Sequence, residues 1–217
     1  TFVLAAIPRG SAPGLFIPEE KKEELKKQFV IKDEFVISYS GTLGVANHLQ
    51  YLLEAAEVCR ELPVMFLILG RGAESDILKR TKDEKYLNNV KFIDYADKKV
   101  EKELLNISDA TCISFLAIKS LYTDSPNKLF DGLTAGKLII ANFDGWVKQL
   151  IETNDAGFSY NPSDTKAFKE KLLLFIQNKE ILRSFQKNSI QLGENSFSLE
   201  RLSDRQYSFI RKLLSKS

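Results

Sequence analysis

The sequence predicts an α/β fold in which helices cover both faces of a mostly parallel six-stranded sheet. Three observations predict it. Short β-rich runs and helix-period runs alternate from Phe35 to Tyr160, the pattern of strands joined by crossover helices. The strand run Val64–Leu69 is an almost unbroken apolar stretch, as a strand covered on both faces requires. After Asn161-Pro162 only helical patterns follow, so the sheet stops at six strands and the chain continues as helices.

Each element follows in order. Glu19 to Lys27 is a dense charge run, read as one solvated face of a leading helix. Phe35–Ser40 is the first strand, and the turn Gly41-Thr42-Leu43-Gly44 ends it. Leu49, Leu52, Leu53, Ala56 and Val58 then recur at helical spacing. Val64–Leu69 is the second strand, closed by Gly70-Arg71-Gly72, and 73–82 reads as a helix. Val90–Asp94 is the third strand, with a helix over 99–106; Ala110–Ser114 is the fourth, with a helix over 128–135. Gly136 stands where a helix C-terminus favours glycine. Leu138–Ala141 is the fifth strand, 147–152 a short helix and Gly157–Tyr160 the sixth strand. The helical segment reads as roughly 164–178, 181–192 and 199–215.

Composition narrows the function classes. A length of 217 residues suits one large domain or two small ones and needs no disulfide or metal staple. Lys+Arg 31 against Asp+Glu 29 leaves +2, which provides no bulk field for nucleic acid. No apolar run approaches the roughly 18 residues of a membrane span. Cys59 and Cys112 are far apart and read as buried apolar side chains, which suits a reducing compartment. One histidine, His48, builds no metal centre, so no metal is expected. The chain opens on the apolar Thr1–Pro8 without an initiator Met, and is expected to be part of a longer protein.

In a fold of this kind ligands bind beyond the carboxyl ends of the strands. The strand-to-helix turns are therefore the candidate sites. In the first, the glycines of Ser40-Gly41-Thr42-Leu43-Gly44 let backbone approach a ligand, and the helix behind favours an anion. The turn is neither a dinucleotide fingerprint nor a P-loop, and a tight connection is the alternative. Gly70-Arg71-Gly72 is half a glycine fingerprint, but reads first as a structural turn with Arg71 solvated. The richest stretch is 122–137. Ser125 or Asn127 can cap its helix, with Pro126 in the first turn. The amides of Asn127, Lys128 and Leu129 then face the sheet edge, Lys128 adds a cation suited to a diphosphate, and Asp131 can accept two hydroxyl hydrogen bonds, as from a ribose. The plainer alternative pairs Lys128 with Asp131 on a surface helix. Asn142-Phe143-Asp144-Gly145-Trp146 closes a further candidate turn, where Trp146 either stacks on a ligand or packs against other protein.

The run Ser125-Pro126-Asn127-Lys128-Leu129-Phe130-Asp131, followed by Ala135-Gly136-Lys137, resembles the donor-site helix of group 1 GT-B glycosyltransferases. Further motifs match in order: Ile7–Gly10 with Leu15–Pro18, Ser40–Gly44 through Ala56, Leu67–Gly72, Asn89–Tyr95, Ser108–Ala110, and Leu150–Glu152 through Phe158. The resemblance covers essentially the whole chain.

It implies a Rossmann-like three-layer domain forming one half of a two-domain GT-B fold. Residues 1–34 would be the linker and leading helix. Residues 35–217 would be the nucleotide-sugar-binding domain, with C-terminal helices from about 163, and the N-terminal acceptor-binding domain would be absent. The implied activity is retaining transfer of a sugar from a nucleotide-diphosphate donor, without a cofactor, in bacterial surface polysaccharide or lipopolysaccharide synthesis. The chain alone would bind donor and transfer nothing. Implied donor contacts are Gly41, Thr42, Leu43, Tyr95 near the base, Ser125, Asn127, Lys128, Leu129, Asp131, Gly145 and Trp146. Asp131 stands where the family has a ribose-binding glutamate. Eight positions earlier, where the family's sugar-facing glutamate lies, stands Thr123, with Asp124 beside it as a substitute contact. Thr42 and Asn47 occupy the positions of the family's Arg and Lys, which leaves the diphosphate charge to Lys128. The implied location is cytoplasmic, with peripheral membrane contact through Arg201, Arg205, Arg211, Lys212 and Lys216, or else a solvated face there. Two rival readings stay open: a sugar-nucleotide epimerase of related fold, and a degenerate, non-catalytic nucleotide-binding domain.

Overall fold

The computed structural model describes residues 22–94, 97–118, 121 and 125–197, and near the C-terminus 202–204, 207–208 and 210–211. In chain order the elements are α1 (Lys22–Gln28), β1 (Phe35–Ser40), α2 (Gln50–Val58), β2 (Val64–Leu69), α3 (Ser75–Glu84), β3 (Val90–Ile93) and α4 (Lys98–Ile107). Then come β4 (Ala110–Ile113), α5 (Asn127–Thr134), β5 (Leu138–Ala141), α6 (Trp146–Thr153), β6 (Gly157–Ser159), α7 (Thr165–Gln177) and α8 (Lys179–Phe197). The described residues of 202–211 are helical as well.

The six strands form one sheet in the order β3-β2-β1-β4-β5-β6, and every pairing is parallel. The chain winds outward from β1 to β3, then returns across the sheet to start again at β4. That reversal is a topological switch point between β1 and β4, where the two outgoing turns diverge and leave a crevice.

Strand alternation sorts the core into two faces. Ile37, Tyr39, Phe66, Ile68, Cys112 and Ile140 pack with Leu52, Leu53, Phe168 and Leu172 of α2 and α7. On the other face Val36, Met65 and Leu67 meet Leu104 and Ile107 of α4, while Ile113, Ile139 and Ala141 meet Leu129, Leu133 and Val147 of α5 and α6. In α1, Glu23, Glu24 and Lys27 are exposed, whereas Leu25 packs towards α4. Cys59 and Cys112 are buried free thiols, and burial pushes each up to about 12. Among the described residues no helix is long and apolar enough to cross a membrane.

The opposite edges of the sheet are treated differently. α8 passes beneath the amino-terminal edge. Gln186 donates to the carbonyl of Asp109, which precedes β4, and Ser189 donates to those of Lys137 and Ala156, which precede β5 and β6. The carboxyl edge is left to the turns. α8 runs on to Phe197 rather than stopping at Leu192, because Gly193 serves close packing and not termination: a Cβ there would press on Leu133 and Thr134 of α5.

Candidate functional site

The first turn is held by a second glycine turn beside it. Gly41 N donates to Leu69 O, Leu43 N to Arg71 O and Glu74 N to Leu43 O, at 3.0, 3.0 and 2.9 Å. A Cβ on Gly70, whose φ is +149°, would run into the carbonyl oxygen of Gly41. Gly70-Arg71-Gly72 is thus the structural turn that the sequence suggested, and its function is to brace Gly41–Leu43. Leu43 is buried with both backbone groups used, whereas Gly41 and Thr42 are exposed.

α5 rises beside this turn. Its cap position is Pro126, which makes no side-chain cap bond, rather than Ser125 or Asn127. The physical reason is that Pro126, with φ −72° and ψ 127°, already holds the extended cap conformation and has no donor to satisfy. The amide of Leu129 turns back to the carbonyl of Pro126 and its side chain is buried in the core. Asn127 is exposed and Ser125 half-buried. α4 differs: its cap Asp97 accepts from Lys99 N and Val100 N, so that helix end closes on itself.

Lys128 folds over the end of β1. Its Nζ lies 4.5 Å above the Tyr39 ring, 3.3 Å from Tyr39 Oη and 3.5 Å from Asn47 Oδ1. Tyr39 Oη donates to Thr42 O, so one aromatic side chain carries both the turn and the cation. Burial raises the Tyr39 hydroxyl well above its ordinary value, keeping it a neutral donor. A Cβ on Gly41 would sit 3.3 Å from Lys128 Nζ, which places the ammonium directly beside the exposed turn.

Asp131, one turn further along α5, is half-buried. Burial pushes its carboxyl up to about 6, with Lys98 opposing the rise and Glu101 adding to it. Glu101 is a functional candidate that sequence reasoning missed. Its side chain is 19% exposed, Ser40 Oγ donates to one of its oxygens at 2.8 Å, and Lys98 Nζ lies 2.7 Å from the other. In sequence both residues belong to an unremarkable charged run, and only the placement of α4 beside β1 reveals them.

These groups line one cleft at the switch point, in two adjoining lobes. A lobe of about 360 Å³ lies among Ser40, Gly41, Thr42, Arg71, Lys98 and Glu101. One of about 420 Å³ lies among Thr42, Asn47, Phe115, Asn127, Lys128 and Asp131. The cleft offers a cation, the start of α5 and a glycine turn near Lys128, and carboxylate acceptors at Glu101 and Asp131. Such a surface can hold an anion at one end and hydroxyl or N–H donors at the other. Trp146 begins α6, and its ring stacks on Phe130 at 6.5 Å, so it packs within its own domain beside Gly145. Tyr95, Thr123 and Asp124 lie outside the described residues. Among the described residues no group of three or more His, Cys, Asp or Glu is placed to hold a metal ion.

Fold and cleft together define a Rossmann-like domain with its open crevice at the switch point. The chain belongs to the group 1 glycosyl transferases, whose family pattern matches residues 20–192. It is 26% identical over 136 residues to WcaI of Escherichia coli (strain K12), named for colanic acid biosynthesis; the match covers 60% of this chain and 33% of that protein. The fold is shared with HepE of Anabaena, solved with UDP and glucose, at a TM-score of 0.79 and 16% identity, over 93% of this chain and 55% of that one. It is also shared with the C-terminal domain of the group 1 glycosyl transferase LpcC of Francisella tularensis, at 0.72 and 16%, over 88% of this chain and all of that one. The chain thus spans about a third of the length of WcaI and about half that of HepE.

Proposed function

We propose that the cleft binds a nucleotide-diphosphate sugar, and that the chain is the donor-binding part of a retaining glycosyltransferase. The observation that carries this is the placement of Lys128 Nζ against Tyr39, Asn47 and the exposed Gly41 turn. The positions where the family's cations are expected hold Thr42 and Asn47, and Lys128 brings positive charge to the same place from α5.

In the reaction the bond between the sugar's anomeric carbon and the diphosphate oxygen breaks while an acceptor hydroxyl oxygen bonds that carbon and passes its proton to the departing diphosphate. Negative charge grows on the departing diphosphate. Lys128, the start of α5 and the backbone at Gly41–Thr42 stabilise it, which lowers the barrier because the donors are already in place. Asp131 accepts the ribose hydroxyls. Tyr95 and Asp124 are assigned to the base and the sugar by resemblance alone.

The acceptor machinery is assigned to a second domain outside these residues, so residues 1–217 bind donor and transfer nothing; robust transfer by the purified chain would overturn that. The WcaI relative supports a role in surface polysaccharide or lipopolysaccharide synthesis. We place that role on the cytoplasmic side, with peripheral membrane contact through the last helix, where Arg211 is exposed. Failure to float with anionic phosphatidylglycerol vesicles would remove the membrane contact. The donor site is tested by calorimetry with UDP, GDP and ADP. One should bind, and Asp131→Ala should weaken it roughly tenfold or more, the loss expected for hydrogen bonds to a charged group. Absence of binding by all three would refute the donor site and favour a degenerate domain.

A further inference from the structure

We propose that Asn142 and Ser114 are positioning residues for the diphosphate end of the cleft, holding the turn after β1 so that Asn47 aims Lys128. The inference rests on the donor-site reading above.

Asn142 directly follows β5 and is 1% exposed. Its side-chain amide uses both N–H donors and its carbonyl oxygen. Oδ1 accepts from Phe115 N at 2.9 Å, while Nδ2 donates to Ser114 Oγ at 3.0 Å and to Phe115 O at 3.2 Å. Ser114 passes the connection on, its Oγ donating to the carbonyl of Asn47 at 2.7 Å. Leu116 N donates to Ala46 O at 2.8 Å alongside it. One buried amide therefore ties together the three turns that leave β1, β4 and β5 at the ligand edge.

Both ends of this knot reach Lys128. Asn47, fixed by Ser114, presents Oδ1 at 3.5 Å from Lys128 Nζ. Phe115, gripped by Asn142 at its N–H and its carbonyl, places its ring 6.0 Å from the same Nζ and is backed by Phe143 at 5.0 Å. Tyr39, another neighbour, is carried by β1 itself. The position needs one acceptor and two donors in a plane, which a side-chain amide supplies. An apolar residue there would strand the Phe115 backbone groups and remove the donor to Ser114 Oγ, and an Asp would lose both donors and bury a charge. Such a knot pre-organises the cation before the ligand arrives, as tightly held sites require.

The test uses the 217-residue chain. Calorimetry measures the affinity for whichever of UDP, GDP and ADP binds best, and for the matching nucleoside. Ser114→Ala cuts the tie to Asn47 while sparing the two bonds from Asn142 to Phe115. It should lower diphosphate affinity about tenfold and leave nucleoside affinity within about twofold, so the ratio of the two falls. A merely structural loss would lower both together. Asn47→Ala supplies the second arm: if Ser114 acts through Asn47, the double variant should bind the diphosphate no more weakly than Asn47→Ala alone. Equal losses for nucleoside and diphosphate, or additive losses in the double variant, would overturn the proposal. Should wild type bind no nucleoside diphosphate at all, the donor-site reading fails, and this inference with it.

Discussion

Asp131→Asn should stabilise the protein at neutral pH while weakening nucleotide binding. The carboxyl is pushed from 3.8 to about 6 by burial, with Glu101 adding to the rise. The folded protein therefore holds this proton roughly a hundredfold more tightly than the unfolded chain, which is worth about 3 kcal/mol at about 1.36 kcal/mol per tenfold. The side chain borders an open cleft, and solvent screening reduces this to about 1–2 kcal/mol. The sign follows from proton linkage. Between pH 4 and 6 the native form binds more protons than the unfolded chain, so wild-type stability falls as pH rises. Above pH 6 the full cost is present; below pH 4 both states are protonated and it vanishes. Asn carries no charge at any of these values. Thermal unfolding of both proteins at pH 8, 6, 5 and 4 is the assay. At about 2–4 °C per kcal/mol, the variant should melt about 2–8 °C higher at pH 8, with the gap closing towards pH 4. A gap that ignores pH, or a variant that melts lower at pH 8, would refute the reasoning.

Two further predictions concern the scaffold. Gly70→Ala places a Cβ against Gly41 O at a φ of +149°, so it should cost about 2–4 kcal/mol and loosen the Gly41–Leu43 turn; unfolding at wild-type temperature would contradict this. Cys59 and Cys112 are buried with thiols pushed up to about 12, so at pH 8 a thiol reagent such as dithiobis-nitrobenzoate should label them slowly in the native protein and fully in urea. Rapid native labelling of either would show that the core opens there.

The strands were legible in the sequence because their residues carry the signal themselves. Phe35–Ser40, Val64–Leu69 and Leu138–Ala141 are bounded apolar runs, and each appears with the expected ends. Helix ends shifted by a residue or two, since exposed ends are set by local hydrogen bonds and not by burial. The helix expected to end at Leu192 runs on through Gly193, which proved to be a packing contact with α5. In the site, Gly41, Thr42, Asn47, Lys128 and Asp131 do come together on one cleft. Glu101 escaped notice because its partner Ser40 is 61 residues away. Asn142 opens a turn that the sequence marks as a candidate, but its bonding role does not show there, as its partners lie on a turn 27 to 28 residues earlier. Trp146 stands out by its rarity, and its ring stacks on Phe130 at 6.5 Å.

A crystal structure of the chain with its best-binding nucleoside diphosphate tests the central claim most directly. The account predicts the diphosphate against Gly41, Thr42 and the start of α5 within reach of Lys128 Nζ, with the ribose hydroxyls on Asp131. A nucleotide lodged elsewhere, such as the polar pocket among Asn142, Asp144, Lys148 and Lys171, or one with its phosphates turned away from Lys128, would contradict it.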